Sequence, residues 1–173
     1  STEGSIGFIR DAKKRGLKVT CETCPHYFIF TDEKLTARDA DFRMNPPLRE
    51  KRDIEAVAQA VMDGTVDCIV TDHAPHAAEE KKDFEKAPNG VVGLETSFAA
   101  TLTYLYHTGK ISLQKIADLM SVNPRKLLGI EPVYVREGSC ADICLADLEK
   151  EWTVDPEKLH SKSKNTCFKG MTF

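Results

Sequence analysis

Three chemically reactive side chains directly follow one apolar stretch of this sequence. Residues 66–70 are mainly apolar and β-branched, and Asp72, His73 and His76 come after them, with Pro75 between the histidines. This pattern is typical of a buried parallel strand that opens into a functional loop, where α/β proteins bind ligands. A carboxylate beside two imidazoles suits a metal such as zinc, or a proton-transfer pair. The alternative is a solvated strand end with no ligand.

Two further candidate strand ends carry polar side chains. Residues 17–22 alternate and are β-rich, and His26 follows them. Residues 42–44 could form a short strand, and Asn45 comes next, before two prolines that force extended backbone. Taken singly, His26 suits a packed core histidine and Asn45 suits a turn. On one sheet edge, however, His26, Asn45, Asp72 and His76 would converge.

The chemistry that these residues predict is the hydrolysis of an amide. A zinc ion held by His26 and Asp72 would activate a water molecule, and Asp72 could also move a proton. A catalytic zinc usually has three protein ligands, whereas the residues alone supply two. The site therefore looks incomplete on this reasoning.

The six cysteines do not indicate a disulfide framework. Cys68 lies inside the apolar stretch, where a free cysteine behaves as a small hydrophobic residue. Cys21 and Cys24 form a Cys-x-x-Cys pair, which admits a redox or structural zinc site, but no second such pair completes a four-cysteine site. We expect a reduced, cytoplasmic protein.

Composition excludes several classes of function. The 173 residues are 41% hydrophobic and 29% charged, as in a soluble globular chain, and the net charge of −3 gives no footprint for nucleic acid or an acidic membrane. No apolar run approaches the roughly 20 residues that span a bilayer. The first residues lack a signal-peptide pattern and an initiator methionine, so we expect a fragment or a processed product.

Helical patterns alternate with the candidate strands and predict parallel βα units, an α/β fold. Residues 77–92 form a long polar loop typical of a lid or a binding loop. From Glu131 onward, residues 132–135 and 141–146 resemble strands of a separate β layer. The first predicted helix begins after Ser5 and ends near Gly16. The next three span residues 50–62, 93–106 and 113–120, and Ser112 caps the third of these. A last short helix has Pro124 near its first turn and ends at Gly129.

Four motifs give the sequence a family resemblance. They are Cys-Pro-His-Tyr-Phe at residues 24–28, Met-Asn-Pro-Pro-Leu-Arg at 44–49, Thr-Asp-His-Ala-Pro-His at 71–76 and Asn-Gly-Val-Val-Gly-Leu-Glu-Thr at 89–96. In order and spacing they resemble dihydroorotases of the amidohydrolase superfamily, over essentially the whole chain. The resemblance implies the C-terminal part of a (β/α)8 TIM-type barrel with an appended β-sandwich. Residues 1–130 would be the last three barrel strands with their helices, and residues 131–173 a fragment of the sandwich.

The resemblance also implies an activity and roles for particular residues. The family interconverts N-carbamoyl-L-aspartate and L-dihydroorotate in pyrimidine biosynthesis, with zinc that is expected to be binuclear. His26 and Asp72 match metal ligands, and Asp72 also matches the group that takes a proton from the attacking water and gives it to the leaving ring nitrogen. Asn45, His76, Asn89 and Gly90 match substrate-binding positions, with His76 near the substrate carboxylate. His73 matches a motif position with no transferable role.

Several ligands of the family have no counterpart in this chain. The family's His-x-His pair, its carboxylated lysine or aspartate and a further histidine are not present. We therefore expect the chain alone to lack a binuclear zinc site and to be inactive. The resemblance further implies homo-oligomers and association with aspartate transcarbamoylase. The alternatives are a non-catalytic dihydroorotase-like scaffold, or an allantoinase or hydantoinase relative.

Overall fold

Two short parallel strands form the sheet of this protein, for which a computed structural model describes residues 1–173. Strand β1 is Glu22–Thr23 and strand β2 is Cys68–Ile69, with Glu22 opposite Cys68 and Thr23 opposite Ile69. Parallel strands need a crossover connection, and the connection here includes the 12-residue helix Lys51–Met62. Of the strand predicted at residues 17–22, only the final residue lies in β1.

Six α-helices surround or follow these strands. Helices α4 (Ser97–Thr101) and α5 (Leu113–Ala117) each continue into a π-helical segment, Leu102–Tyr106 and Asp118–Val122, and the second of these leads directly into α6 (Asn123–Leu127). None of the helices combines the length and hydropathy needed to cross a membrane. The helices are α1 Glu3–Lys14, α2 His26–Ile29, α3 Lys51–Met62, α4 Ser97–Thr101, α5 Leu113–Ala117 and α6 Asn123–Leu127, and 3₁₀ turns span Asp32–Ala37, Ala40–Phe42 and Pro156–Lys158.

The caps of these helices agree in part with the sequence patterns. Ser112 caps α5 as predicted, because its hydroxyl accepts from the amide of Lys115. The predicted cap at Ser5 is wrong. Thr2 caps α1 instead, because its extended backbone lets its hydroxyl accept from the amide of Ser5 at 3.1 Å.

Helix α1 is joined to the beginnings of both strands by an ion pair. The Lys13 ammonium lies 2.8 Å from each carboxylate oxygen of Asp67 and 2.7 Å from the carbonyl oxygen of Thr65. The same carboxylate accepts from the amide of Cys21 at 2.8 Å. Asp67 therefore aligns the approaches to β1 and β2, so the ends of these strands also lie side by side.

Two apolar clusters make up the core. One lies between the strands and the helices and includes Phe28, Val57, Ile69, Leu105 and Leu119. The other combines residues that follow β1 with residues near the end of the chain. Its members are Cys24, Tyr27, Phe30, Met44, Leu48, Val91, Ala100, Val154, Cys167, Phe168 and Phe173. The last segment of the chain is thus packed on the rest, and the domain boundary after residue 130 stays a prediction.

Three predicted strands are wrong. At residues 42–44, the Asp39 carboxylate accepts from the Asp41 amide at 2.9 Å and stabilises a 3₁₀ turn instead. Residues 132–135 and 141–146 have strand-like composition but pair with no other strand. Their apolar side chains lie in solvent, with Val135 88% and Leu145 101% exposed. A strand needs a neighbour for its backbone hydrogen bonds, which this chain does not supply there.

Candidate functional site

The short helix that follows β1 directs the His26 side chain into the protein interior. Pro25 has helical backbone angles and precedes α2, which places His26 at the first helical position. The imidazole is 2% exposed and contacts the Tyr27 ring edge-on at 4.2 Å between centroids. Burial lowers its pKa to about 4, so the ring is neutral near neutral pH. Its buried Nε2 atom has no hydrogen-bond partner, which is unusual in a folded protein and suits a metal ligand.

Asp72 occupies the corresponding position after β2. Its φ angle of 48° lies in the left-handed region, which aspartate tolerates better than most residues and which often marks a functional position. The side chain is exposed, and its carboxylate makes no hydrogen bond within the chain. Asp72 is therefore held by its backbone while its carboxylate stays free to bind a ligand.

A third donor, Cys24, lies with these two. The sulfur of Cys24, a ring nitrogen of His26 and a carboxylate oxygen of Asp72 all lie within 4.8 Å of one another. They meet because parallel β1 and β2 end at the same edge of the sheet. Burial first, and then the charges of Asp72 and Glu22, raise the pKa of the Cys24 thiol to about 12. Zinc accepts nitrogen, oxygen and sulfur donors, so this group of side chains fits the metal that the sequence implies.

Asn45 opens onto the same cleft as Asp72. The cleft encloses about 610 Å³, and Thr23, Asn45, Asp72 and His73 are among the residues that line it. The hydroxyl of Tyr27 donates to the carbonyl oxygen of Pro46 at 2.8 Å, which joins the segment after Asn45 to helix α2. The structure thus places Asn45 beside the candidate metal ligands.

His76, Asn89 and Gly90 form a neighbouring group that does not line this cleft. The Nε2 atom of His76 lies 2.9 Å from the carbonyl oxygen of Asn89. Gly90 has a φ angle of 118°, and a Cβ atom there would lie 2.4 Å from the Cβ of Ala74. Only glycine permits this approach of the two loops. The three predicted substrate-binding residues are therefore close to one another, on the loops that follow β2.

Asn165 and Lys81 join these loops, and the sequence interpretation missed both. The Asn165 side chain donates to the carbonyl oxygens of Ala74 at 3.0 Å and Gly90 at 3.1 Å, and its oxygen accepts from the amide of His76 at 3.2 Å. Lys81 donates to the same Gly90 oxygen at 3.0 Å. No local pattern indicates Asn165, because its partners lie 75–91 residues earlier in the chain.

His73 has a structural position. Its Nδ1 atom accepts from the amide of Gly93 at 3.1 Å, with the amide of Leu94 at 3.4 Å. The ring thereby links the end of β2 to the segment that leads into α4.

Known proteins resemble this chain over nearly its whole length. No protein-family model matches it. It is 51% identical over 171 residues to a dihydroorotase of Acetivibrio thermocellus, covering 98% of this chain and 40% of that protein. It also resembles an L-hydantoinase (dihydropyrimidinase) from Arthrobacter aurescens, at 31% identity and a TM-score of 0.88, and a dihydropyrimidinase from Brevibacillus agri, at 30% identity and a TM-score of 0.91. Each structural match covers 99% of this chain and 40% of the other, so the chain spans about two fifths of these relatives.

Proposed function

From the premise that this chain is a homologue of dihydroorotases and corresponds to part of their length, we propose that it contributes part of the active site of a dihydroorotase. The reaction is the reversible, zinc-dependent cyclisation of N-carbamoyl-L-aspartate to L-dihydroorotate in pyrimidine biosynthesis. One observation carries this proposal: His26, whose buried Nε2 atom has no partner in the chain, has a ring nitrogen within 4.8 Å of a carboxylate oxygen of Asp72, after two parallel strands. The predicted resemblance to part of a dihydroorotase is confirmed.

In this proposal, His26 and Asp72 hold a metal ion and Asp72 also moves a proton. Zinc would supply a Lewis acid that polarises the amide carbonyl and favours ionisation of the attacking water. The Asp72 carboxylate would accept the proton that this water loses and give it to the ring nitrogen that leaves. Its exposure and its lack of a hydrogen bond within the chain support this role.

The substrate would be bound by Asn45, His76, Asn89 and Gly90. Because a carbonyl oxygen only accepts, His76 Nε2 must donate to Asn89 and its Nδ1 stays available. With Nδ1 available, the proposed role of His76 is a contact to the substrate carboxylate. Asn45, at the cleft of Asp72, suits a contact on the opposite side of the substrate.

The proposed architecture is a part of an amidohydrolase barrel. Parallel pairing of β1 with β2 and the match to hydantoinase structures support placing residues 1–130 in a (β/α)8 barrel. The assignment of residues 131–173 to a β-sandwich fragment rests on the resemblance alone. Homo-oligomer formation and association with aspartate transcarbamoylase are proposed on the same ground.

A chimera tests the activity. In the Acetivibrio thermocellus dihydroorotase, the matching 171-residue segment is replaced by this chain, and the absorbance of dihydroorotate is followed. We expect turnover, and we expect Asp72→Asn to lower it by about 10²–10⁴-fold because proton transfer is lost. Asp11→Asn, an exposed aspartate on α1, is the matched control and should retain full rate. A folded chimera that binds zinc but converts no dihydroorotate would refute the proposal.

The second candidate function is that of a hydantoinase or dihydropyrimidinase. The observation that favours it is the similarity to two such structures at 30–31% identity. The greater identity to a dihydroorotase, 51%, places this candidate second. The same chimera, supplied with hydantoin or dihydrouracil, distinguishes the two candidates by which ring it opens.

A further inference from the structure

Arg43 connects predicted substrate-binding residues that lie on two different segments of the chain. It comes two residues before Asn45 in the sequence, and it bonds to both Asn89 and Gly90. We propose that Arg43 is a positioning residue, which holds Asn89 and Gly90 in a fixed place relative to Asn45. The inference rests on the substrate-binding role proposed above for those three residues. It gives Arg43 itself no contact with the substrate.

The backbone of Arg43 binds Gly90. Arg43 follows the 3₁₀ turn Ala40–Phe42 and has extended backbone angles, with φ −85° and ψ 106°. In this conformation its carbonyl oxygen accepts from the amide of Gly90 at 2.9 Å. The next residue, Met44, is buried in the core, so this carbonyl group belongs to a firmly held segment.

The guanidinium group of Arg43 holds the loop that ends at Asn89. Its Nε atom donates to Oδ1 of Asn89 at 3.1 Å, and its Nη1 atom donates to the carbonyl oxygen of Phe84. Because an arginine side chain only donates, the Asn89 amide must present its oxygen to Arg43, and its orientation is thereby fixed. The NH₂ group of Asn89 makes no hydrogen bond within the chain and stays available to donate to a ligand.

Asn89 transmits this contact to His76. Its side-chain oxygen accepts from Arg43, and its backbone carbonyl oxygen lies 2.9 Å from Nε2 of His76. Asn89 is exposed, so packing in the core does not fix it. Its position depends on hydrogen bonds, and Arg43 supplies the one to its side chain. Loss of the Arg43 side chain should therefore let Asn89 and His76 move relative to Asn45.

Arg38 contacts the same loop in a different way and provides a matched control. It pairs with Glu85, and its Cζ atom lies 5.2 Å from the centre of the Phe84 ring. It makes no hydrogen bond to Asn89 or Gly90. The side chains of Arg38 and Glu85 are 61% and 66% exposed, so this pair contributes little to stability. Arg38 thus brings the same charge to the loop without the contacts proposed to position it.

The kinetics of the dihydroorotase chimera described above test the inference. We expect Arg43→Ala to raise KM for dihydroorotate about tenfold while kcat changes less than about threefold, because binding contacts are displaced and Asp72 is not. Arg43→Lys should not restore KM, because one ammonium group cannot reproduce the two bonds made by Nε and Nη1. Arg38→Ala should leave both kinetic constants unchanged.

A double-mutant cycle tests whether Arg43 acts through Asn89. Asn89→Ala should raise KM by itself. Adding Arg43→Ala to Asn89→Ala should raise KM by less than about threefold more, since two residues in one network give non-additive effects. A full additional tenfold rise would show that Arg43 does not act through Asn89.

Hydrogen exchange of the 173-residue chain gives a second readout, which needs no activity. Arg43→Ala should increase exchange at the Gly90 amide about fivefold or more, because the loop loses two of the bonds that hold it. The amide of Val92, which donates to the carbonyl oxygen of Asn165 at 2.8 Å, is the reference and should not change. Equal increases at Gly90 and Val92 would show a general loss of stability and would overturn the positioning role.

The outcomes separate this inference from the proposed function. An active chimera whose KM is unchanged in Arg43→Ala would overturn the role of Arg43 alone. An equal rise of KM in Arg38→Ala would do the same, because the positive charge would then be sufficient. A chimera that converts no dihydroorotate, while Arg43→Ala loosens Gly90 selectively, would refute the proposed function and support the positioning of the loop by Arg43.

Discussion

Gly93 is the residue that permits close packing behind Asp72. It is buried, and a Cβ atom there would lie 2.7 Å from the carbonyl oxygen of Thr71, the residue before Asp72. We expect Gly93→Ala to displace this backbone and to lower the free energy of unfolding by about 1–3 kcal/mol, as overpacking does. Urea denaturation followed by circular dichroism measures the change.

Gly7 provides the control for this substitution. It lies on the exposed side of α1, and a Cβ atom there meets nothing within 4 Å. Gly7→Ala should raise the free energy of unfolding by about 0.5–1 kcal/mol, because alanine is the better helix former. Equal effects of the two substitutions would show that the approach to Thr71 is unimportant.

Asp41 should make stability depend on pH. Burial first, and then the charge of Asp39, raise the pKa of its carboxyl to about 6, against the opposing charges of Lys81 and Lys169. Between about pH 4 and 6 the folded chain keeps a proton that the unfolded chain has lost, so stability falls as pH rises through this window. Asp41→Asn should flatten that fall and be more stable near pH 7.

The measurement is urea denaturation at several pH values across this window. Asp32→Asn, at an exposed aspartate, serves as the control and should follow the unsubstituted chain. If Asp41→Asn and the unsubstituted chain lose stability in parallel between about pH 4 and 6, then Asp41 does not keep its proton in the folded state.

At this scale, the sequence predicted those site residues that follow strand-like segments or recognisable motifs. The structure places Asn45 and Asp72 on one cleft and a ring nitrogen of His26 within 4.8 Å of the Asp72 carboxylate, although their functional roles stay predictions. Cys24 was assigned to a local pair with Cys21 because sequence spacing does not give the direction of a side chain. Asn165 and Lys81 act through backbone carbonyl groups, which no residue pattern reveals.

The loops that carry His76 and Gly90 depend on Asn165. We expect Asn165→Ala to leave the His76 amide without its acceptor and to increase its hydrogen exchange about fivefold, since one such bond contributes about 1 kcal/mol. Asn165→Asp keeps an oxygen acceptor for His76 but loses both bonds to carbonyl oxygens. It should therefore restore protection at His76 while the Gly90 loop stays loosened.

Amide exchange read by mass spectrometry or NMR gives the result. The amides of Trp152 and Phe173, which bond to each other's carbonyl oxygens, are the internal reference. If they exchange faster to the same extent as His76, then Asn165 contributes to global stability and does not position the loops.

Helices could be predicted from the sequence far better than strands. The sequence predicts a helix at residues 50–62, and the structure has α3 at Lys51–Met62. The apolar stripe that predicted it, which includes Val57 and Val61, packs in the core. The stripe is a local property of 3.6 residues per turn. A strand exists only through its partner, so residues 132–135 and 141–146 could not be decided from their own composition. The π-helical continuations of α4 and α5 carry no sequence signal that we recognise.

For the whole molecule, we expect the purified 173-residue chain to show no dihydroorotase turnover. It has one group of side chains that could hold a metal ion, Cys24, His26 and Asp72, and a binuclear site needs further ligands. Elemental analysis should therefore find at most one zinc ion per chain. Measurable conversion of dihydroorotate, or two tightly bound zinc ions, would show that this expectation is wrong.

The end of the chain should unfold together with the rest. Phe168 is 2% exposed and packs against Phe30 and Phe173, in the same cluster as residues after β1. Phe168→Ala should cost about 3–5 kcal/mol. Phe8→Ala, at a residue 80% exposed, should change stability by less than about 0.5 kcal/mol. Two separate calorimetric transitions would instead show that residues 131–173 form an independent unit.

The position of Asn165 has a consequence for the order of events during synthesis. A ribosome releases residues 74–90 long before it adds Asn165. The carbonyl oxygens of Ala74 and Gly90 therefore lack their bonds to Asn165 until that residue has been added. Strands β1 and β2 and the helices between them can associate during this interval, as N-terminal parts of proteins generally fold first. The loops of His76 and Gly90 are then completed only after Asn165 has been added and released. A nascent chain stalled before residue 165 would hold His26 and Asp72 while the loops of His76 and Gly90 were still unfinished.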